Sequence, residues 1–125
     1  MKLIDTSSWI EYLRDQKSEV GDRVEVLVLS GEAAWCDITL VELWHGVRGS
    51  KEKRQLAEME NEIEHVPLDG AAWRLASRLA LRCREKGFTV PVSDIVIGAC
   101  ATNHKLELEY CDGHFDDILP IAKTL

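Results

Sequence analysis

Two rhythms of apolar and polar residues run along the chain. Short apolar runs of two to four residues occur at Leu3-Ile4, Ala33-Ala34-Trp35-Cys36 and Val66-Pro67-Leu68. The first two suit buried strands, and the third is a short extended piece. Longer stretches place apolar residues three and four apart, as an amphipathic helix requires. The clearest is Gly70 to Lys86, where Trp73, Leu75, Ala76, Leu79, Ala80 and Cys83 supply one face and Gly87 a stop.

This reading predicts the following order. Lys2-Leu3-Ile4 is a first strand, and Ser8-x-x-Glu11 is a capping box opening a helix through Leu13. Gln16 to Gly21 is a break. Asp22 to Leu29 is a helix, although Val24, Val26 and Val28 alternate and leave a strand as the alternative. Ala33 to Cys36 is the second strand. Thr39-x-x-Glu42 is another capping box, with its helix ending near Gly46 and Gly49. Lys51 to His65 is a charged helix held by Leu56, Met59 and Ile63, and Asp69 caps the long helix after it. Ser93 or Asp94 starts a nearly uncharged, buried helix. Leu106 to Cys111 is a strand, Phe115 to Ile118 a helical turn and Pro120-Ile121-Ala122 a last short strand. Strands alternating with helices predict a three-layer α/β/α sandwich around a parallel sheet.

At 125 residues the chain is read as a single domain, residues 1–125, able to bury its own core. Hydrophobic residues are 46% and charged residues 30%, which excludes a disordered or membrane-spanning chain. No leader peptide is evident, and Cys36, Cys83, Cys100 and Cys111 lack metal-ribbon spacing, so a cytoplasmic protein with reduced thiols is expected. The formal net charge of −7 argues against simple electrostatic nucleic-acid binding. It is compatible with a nuclease whose clustered acids are offset by divalent cations.

Four acids stand at predicted junctions. Asp5 and Asp112 follow strands, while Glu42 and Asp94 lie in the first turns of helices. In a parallel sheet such junctions gather at the carboxyl edge, where ligands bind. Oxygen ligands suit magnesium or manganese, and two such ions about 4 Å apart hydrolyse phosphodiesters by activating water and stabilising the leaving oxygen. Each acid also has a plain structural reading. Glu42 completes a capping box, Asp94 favours a helix dipole, and Asp112 before Gly113 suits a turn. Asp5 is harder to dismiss, because a charge after a buried strand needs a partner.

Leu3-Ile4-Asp5-Thr6-Ser7, Thr39-x-x-Glu42-Leu43 with Gly46, Ser93-Asp94-Ile95-x-Ile97-x-Ala99-x-Ala101 and Cys111-Asp112-x-His114-Phe115 together resemble the PIN-domain family. The likeness is to the small ribonuclease toxins of VapBC-type toxin–antitoxin pairs. It covers nearly the whole chain. The resemblance implies a metal-dependent endoribonuclease using Mg2+ or Mn2+, an RNA substrate, a cognate antitoxin and a homodimer. Carried over by position, Asp5, Glu42, Asp94 and Asp112 are the catalytic and metal-binding acids. Thr6 or Ser7 matches the supporting hydroxyl. Asp5, Glu42 and Asp94 are expected to hold one ion, and Asp112 to place a second or orient the water. In-line attack then leaves a 5′-phosphate and a 3′-hydroxyl. The chain departs from the family at His114, often a further Asp, and in the polar strand before it, so Asp116 can share or replace the role of Asp112.

Two other functions compete. A receiver-like signalling module also has an acidic magnesium pocket, but Asp5 stands alone after its strand and Lys123 is almost terminal. A PIN fold that binds RNA or a partner without cutting is the other. His114 reads as a surface histidine, with Asp112-x-His114 as ligands to a transition metal the alternative. The row Arg74, Arg78, Arg82 and the glutamates at 58, 60, 62 and 64 read as solvated faces, with RNA or a basic antitoxin segment as alternatives. Trp44 is the tryptophan expected to face a partner. The dimer face is placed on the helices beginning near Asp22 and Lys51.

Overall fold

The computed structural model describes residues 1–14 and 17–125. Four short strands form its sheet: β1 (Lys2–Ile4), β2 (Ala33–Cys36), β3 (Glu64–Val66) and β4 (Glu107–Glu109). They are all parallel, in the order β3-β2-β1-β4, with Lys2 beside both Ala33 and Glu107. Seven helices connect and cover them among the described residues. These are α1 (Thr6–Leu13), α2 (Glu19–Leu29), α3 (Asp37–Gly46), α4 (Gly49–Glu62), α5 (Gly70–Glu85), α6 (Val92–Asn103) and α7 (His114–Ala122).

Alternation along the strands builds the three layers. In β1, Leu3 packs with α5, α6 and α7, while Ile4 packs with α1, α2 and α4. In β2, Ala34 and Cys36 join the first cluster, and Ala33 and Trp35 join the second. Successive side chains point to opposite faces, so a strand apolar at every position is buried on both. Among the described residues no helix is long and apolar enough to cross a membrane.

Several boundaries differ from the sequence reading. The Ser8 capping box does not form, because α1 starts at Thr6 and Asp5 itself is the cap, accepting the Ser8 amide. Likewise α3 begins directly after β2, so Thr39 is buried inside the helix and Glu42 is too far along to cap it. Gln16 lies outside the described residues, but the expected break does not extend to Gly21. Ser18 caps α2, which runs from Glu19 and settles the strand alternative. The charged helix ends at Glu62, freeing His65 for β3, where it accepts from the Trp35 indole at 3.2 Å. The buried helix α6 starts at Val92. The last strand is absent. Pro120 lies within α7, where it forfeits one main-chain donor, and burial of Phe115, Ile118, Ile121 and Ala122 along one face outweighs that loss.

Candidate metal centre

Parallel pairing sets the carboxyl ends of β1, β2 and β4 along one edge. The Asp5 amide donates to the Glu109 carbonyl at 3.0 Å, which ties the end of β1 to the end of β4. β1 lies between β2 and β4, so Asp5 sits centrally, with α3 on one side and the segment after β4 on the other.

Asp5 is only 1% exposed. Its Oδ2 accepts from the Ser7 hydroxyl at 2.6 Å and its Oδ1 from the Ser8 amide at 3.0 Å. Burial pushes its pKa above the ordinary value, opposed by these Ser7 and Ser8 hydrogen bonds. The neighbouring Thr6 hydroxyl donates to Glu42 Oε1 at 2.7 Å and lies 3.2 Å from the Thr39 hydroxyl. The helix-capping reading of Glu42 is thereby replaced by a side-chain bond across two helices. On the other flank, Ser7 Oγ lies 3.4 Å from Cys111 Sγ, one residue before Asp112.

Asp94 projects from the first turn of α6 and is 8% exposed. Asp112 occupies the turn before α7, where its Oδ1 accepts the His114 amide at 2.9 Å. The His114 Nδ1 lies 2.8 Å from that same oxygen and 3.1 Å from Asp94 Oδ2. One ligand atom from each of Asp94, Asp112 and His114 falls within 4.8 Å of the others. Burial raises the Asp94 carboxyl to about 6, His114 works against that rise, and Asp112 adds to it. Burial also works against the charge on Asp112, but the His114 amide and ring outweigh it, so its pKa is lowered. Hydrogen bonding to Asp94 raises the pKa of His114, desolvation opposes the rise, and the charge of Asp112 adds to it.

The structure therefore brings Asp94 and Asp112 together and adds His114, while Ser7 joins Asp5 to Cys111, the residue before Asp112, and Thr6, the residue after Asp5, holds Glu42. Asp5, Glu42 and Asp94 are not gathered as one triad of adjacent ligand atoms among the described residues. Asp116 accepts from the Tyr110 hydroxyl at 2.7 Å and stands outside the group. His114 is half-exposed, as a surface histidine would be, yet its ring reaches both acids, as the alternative reading requires. The signal for it was Asp112-x-His114 across a helix start, a spacing that returns the ring to the acid before it. The polar strand before this motif is also explained. Glu109, 9% exposed, pairs with Arg23 at 3.2 Å, and Glu107 lies on the sheet edge.

Two buried or half-buried carboxylates converging with an imidazole are an oxygen-rich donor set that fits a divalent cation. His114 Nδ1 lies between the two acids, where an N–H would offset part of their charge. Elsewhere, Arg74, Arg78 and Arg82 are exposed along α5, with Arg82 paired to Glu85, as a solvated face predicts.

Comparison with known proteins agrees with the fold. The PIN-domain model matches residues 2–118. The chain is 32% identical over 127 residues to ribonuclease VapC11 of Mycobacterium tuberculosis, spanning 98% of this chain and 94% of that one. It is 28% identical over 107 residues to ribonuclease VapC21 of the same species, covering 83% and 78%. The structure of FitAcB from Neisseria gonorrhoeae superposes with a TM-score of 0.73 at 24% identity, covering 98% of this chain and 94% of that one. VapBC2 from Rickettsia felis, bound to a promoter DNA fragment, gives 0.75 at 20% identity, with 94% and 92% covered. From its Asp5, Glu42, Asp94 and Asp112 motifs to its parallel sheet, this chain belongs to the PIN-domain family.

Proposed function

We propose that this protein is a divalent-metal-dependent endoribonuclease and the toxin of a toxin–antitoxin pair. The observation that carries the reading is the convergence of Asp94, Asp112 and His114 at the carboxyl edge of a PIN-domain sheet. Likeness to VapC ribonucleases supplies the substrate class. Neighbouring toxin–antitoxin complexes supply the partner class.

In this reading Asp94 and Asp112 hold the cation, and Asp112 rather than Asp116 is the fourth acid. Asp5 is braced by Ser7 and the first amides of α1, and Thr6 keeps the Glu42 carboxylate aimed at the same edge. When bound, the cation acidifies water and offsets the phosphodiester charge. Water attacks phosphorus in line and the 3′ oxygen departs, so no side chain becomes a covalent nucleophile. Residues 1–125 act as one catalytic unit.

A groove of about 730 Å³ supports an RNA substrate. Arg14, Arg48, Lys51 and Arg54 line it beside Glu52 and Glu58, a basic balance in a chain whose net charge is −7. It shares Leu13, Arg14 and Glu52 with a smaller pocket that reaches Glu42. Exposed apolar residues suit the protein partners. Val41 and Trp44 flank Glu42 on α3 and fit the antitoxin, and Val26 and Leu29 on α2 fit a second copy.

The test is RNA cleavage by the purified protein with Mn2+ or Mg2+ against EDTA, beside Asp94→Asn. Cleavage that requires metal and is lost in the variant is the expected result. Equal cleavage by the two proteins, or cleavage in EDTA, overturns the assignment.

A further inference from the structure

His114 is the one non-carboxylate in the converging group, and its position is set by the chain itself. Asp112 Oδ1 accepts the His114 amide at 2.9 Å, closing the turn that starts α7. This fixes the His114 backbone at the site. The ring then turns its Nδ1 inward, within 2.8 Å of Asp112 and 3.1 Å of Asp94. One ring nitrogen thus stands between two carboxylates from different elements, where a third ligand atom would stand.

We propose that His114 Nδ1 is a metal ligand, and that it makes this centre select Mn2+ or a later first-row divalent ion over Mg2+. The inference rests on the metal-dependent reading above and specifies its cation. Its basis is donor chemistry. Magnesium holds water tightly and takes oxygen ligands, so an imidazole adds little to its binding. First-row transition ions accept imidazole nitrogen, with affinity rising from manganese towards copper. Two carboxylates and one imidazole therefore separate the ions in a way that carboxylates alone do not. Ligation needs the neutral ring at Nδ1, so the proton on that nitrogen leaves as the ion enters. The partly exposed ring leaves the core intact when replaced, because the interior face of α7 is built from Phe115, Ile118 and Ile121.

The experiment uses the full chain loaded with Mn2+, compared with His114→Asp and Asp94→Asn. Pulsed electron paramagnetic resonance reads nitrogen-14 modulation from a coordinated imidazole. Titration calorimetry reads the affinities for Mn2+ and Mg2+. The expected result is an imidazole signal in the parent that disappears in His114→Asp, with the preference for Mn2+ over Mg2+ falling by about tenfold or more. Circular dichroism confirms that the variants fold. Binding that depends on Asp94 but carries no nitrogen signal overturns the role of His114 and leaves the metal-site reading standing. A signal that survives in His114→Asp assigns the nitrogen to another histidine and also overturns it. Absence of any Asp94-dependent binding overturns both.

Discussion

Asp94 carries the chemistry that is most sensitive to solution conditions. Burial raises its carboxyl from an ordinary 3.8 to about 6, and the pKa of His114 is raised as well. A group whose folded pKa exceeds its unfolded value contributes stability below the unfolded value and loses it as pH rises through the folded one. For Asp94 that window runs from about 3.8 to about 6. The metal-free site thus becomes less favourable with rising pH, while the ionised carboxylate it creates is the form a cation binds. Thermal stabilisation by added Mn2+ should therefore be small at pH 5 and grow to a plateau above pH 7. In Asp94→Asn both the growth and most of the stabilisation should vanish. Thermal melts across pH with and without Mn2+ check this. Thr6 gives a second prediction at this scale. Its buried hydroxyl fixes Glu42, so Thr6→Val should lower the cleavage rate by about tenfold, as loss of a supporting hydrogen bond does at metal sites. Thr6→Ser should restore most of it, and a full-rate Thr6→Val protein would dismiss the role.

The pairing of α6 with α7 brings Asp94 and His114 together, and Gly98 faces Ile118 within it. A Cβ there would meet Ile118 Cγ2 at 2.8 Å, and Ile118 is completely buried. A branched side chain held in the core cannot swing aside, so the helices must separate. Gly98→Ala should cost about 1–3 kcal/mol of stability, within the range for overpacking. It should also weaken Mn2+ binding, because Asp94 lies one turn before Gly98 and His114 one turn before Ile118. In Gly98→Ala combined with Ile118→Ala, the total loss should fall short of the sum of the single losses. Denaturant melts of the three variants read that coupling. Much of this level was legible in the sequence. The near absence of charge from Ile95 to Ala101 marked a helix buried on all sides, and the apolar runs marked β1 and β2. Less visible was how tightly helix follows strand. Ser8-x-x-Glu11 and Thr39-x-x-Glu42 satisfied the capping pattern, yet Asp5 and Cys36 already hold the cap positions, and both helices start earlier. A local motif cannot show which of two overlapping starts tertiary packing chooses. Pro120 misled for the same reason, since burial of the α7 face decided against its local preference. The four acids were readable as junction residues, but the turn of the His114 ring into their midst needed the geometry.

Across the whole molecule, the electrostatic problem is to hold a polyanion against a chain of net charge −7. Acids at the sheet edge repel phosphate until a cation offsets them, so the remaining attraction has to come from elsewhere on the surface. The groove between the end of α1 and the start of α4 is lined by four basic residues against Glu52 and Glu58, and its shared wall with the pocket at Glu42 leads towards the site. Arg48 and Arg54 are exposed there and hold no ion pair among the described residues, so reversing them removes attraction without breaking the fold. A single strand laid in this groove loses bound counterions in proportion to the phosphates it pairs, with a salt slope of about −0.7 for each. Arg48→Glu combined with Arg54→Glu should therefore weaken RNA binding at low salt by about tenfold or more and reduce the slope by about one to two. Cleavage of a dinucleotide too short to reach the groove should be unchanged. Binding measured from low to moderate salt with a catalytically silent Asp94→Asn background separates the groups. A parallel loss of dinucleotide cleavage would mean that the two arginines act on the site itself, whereas an unchanged salt slope would remove the groove from the path of the RNA.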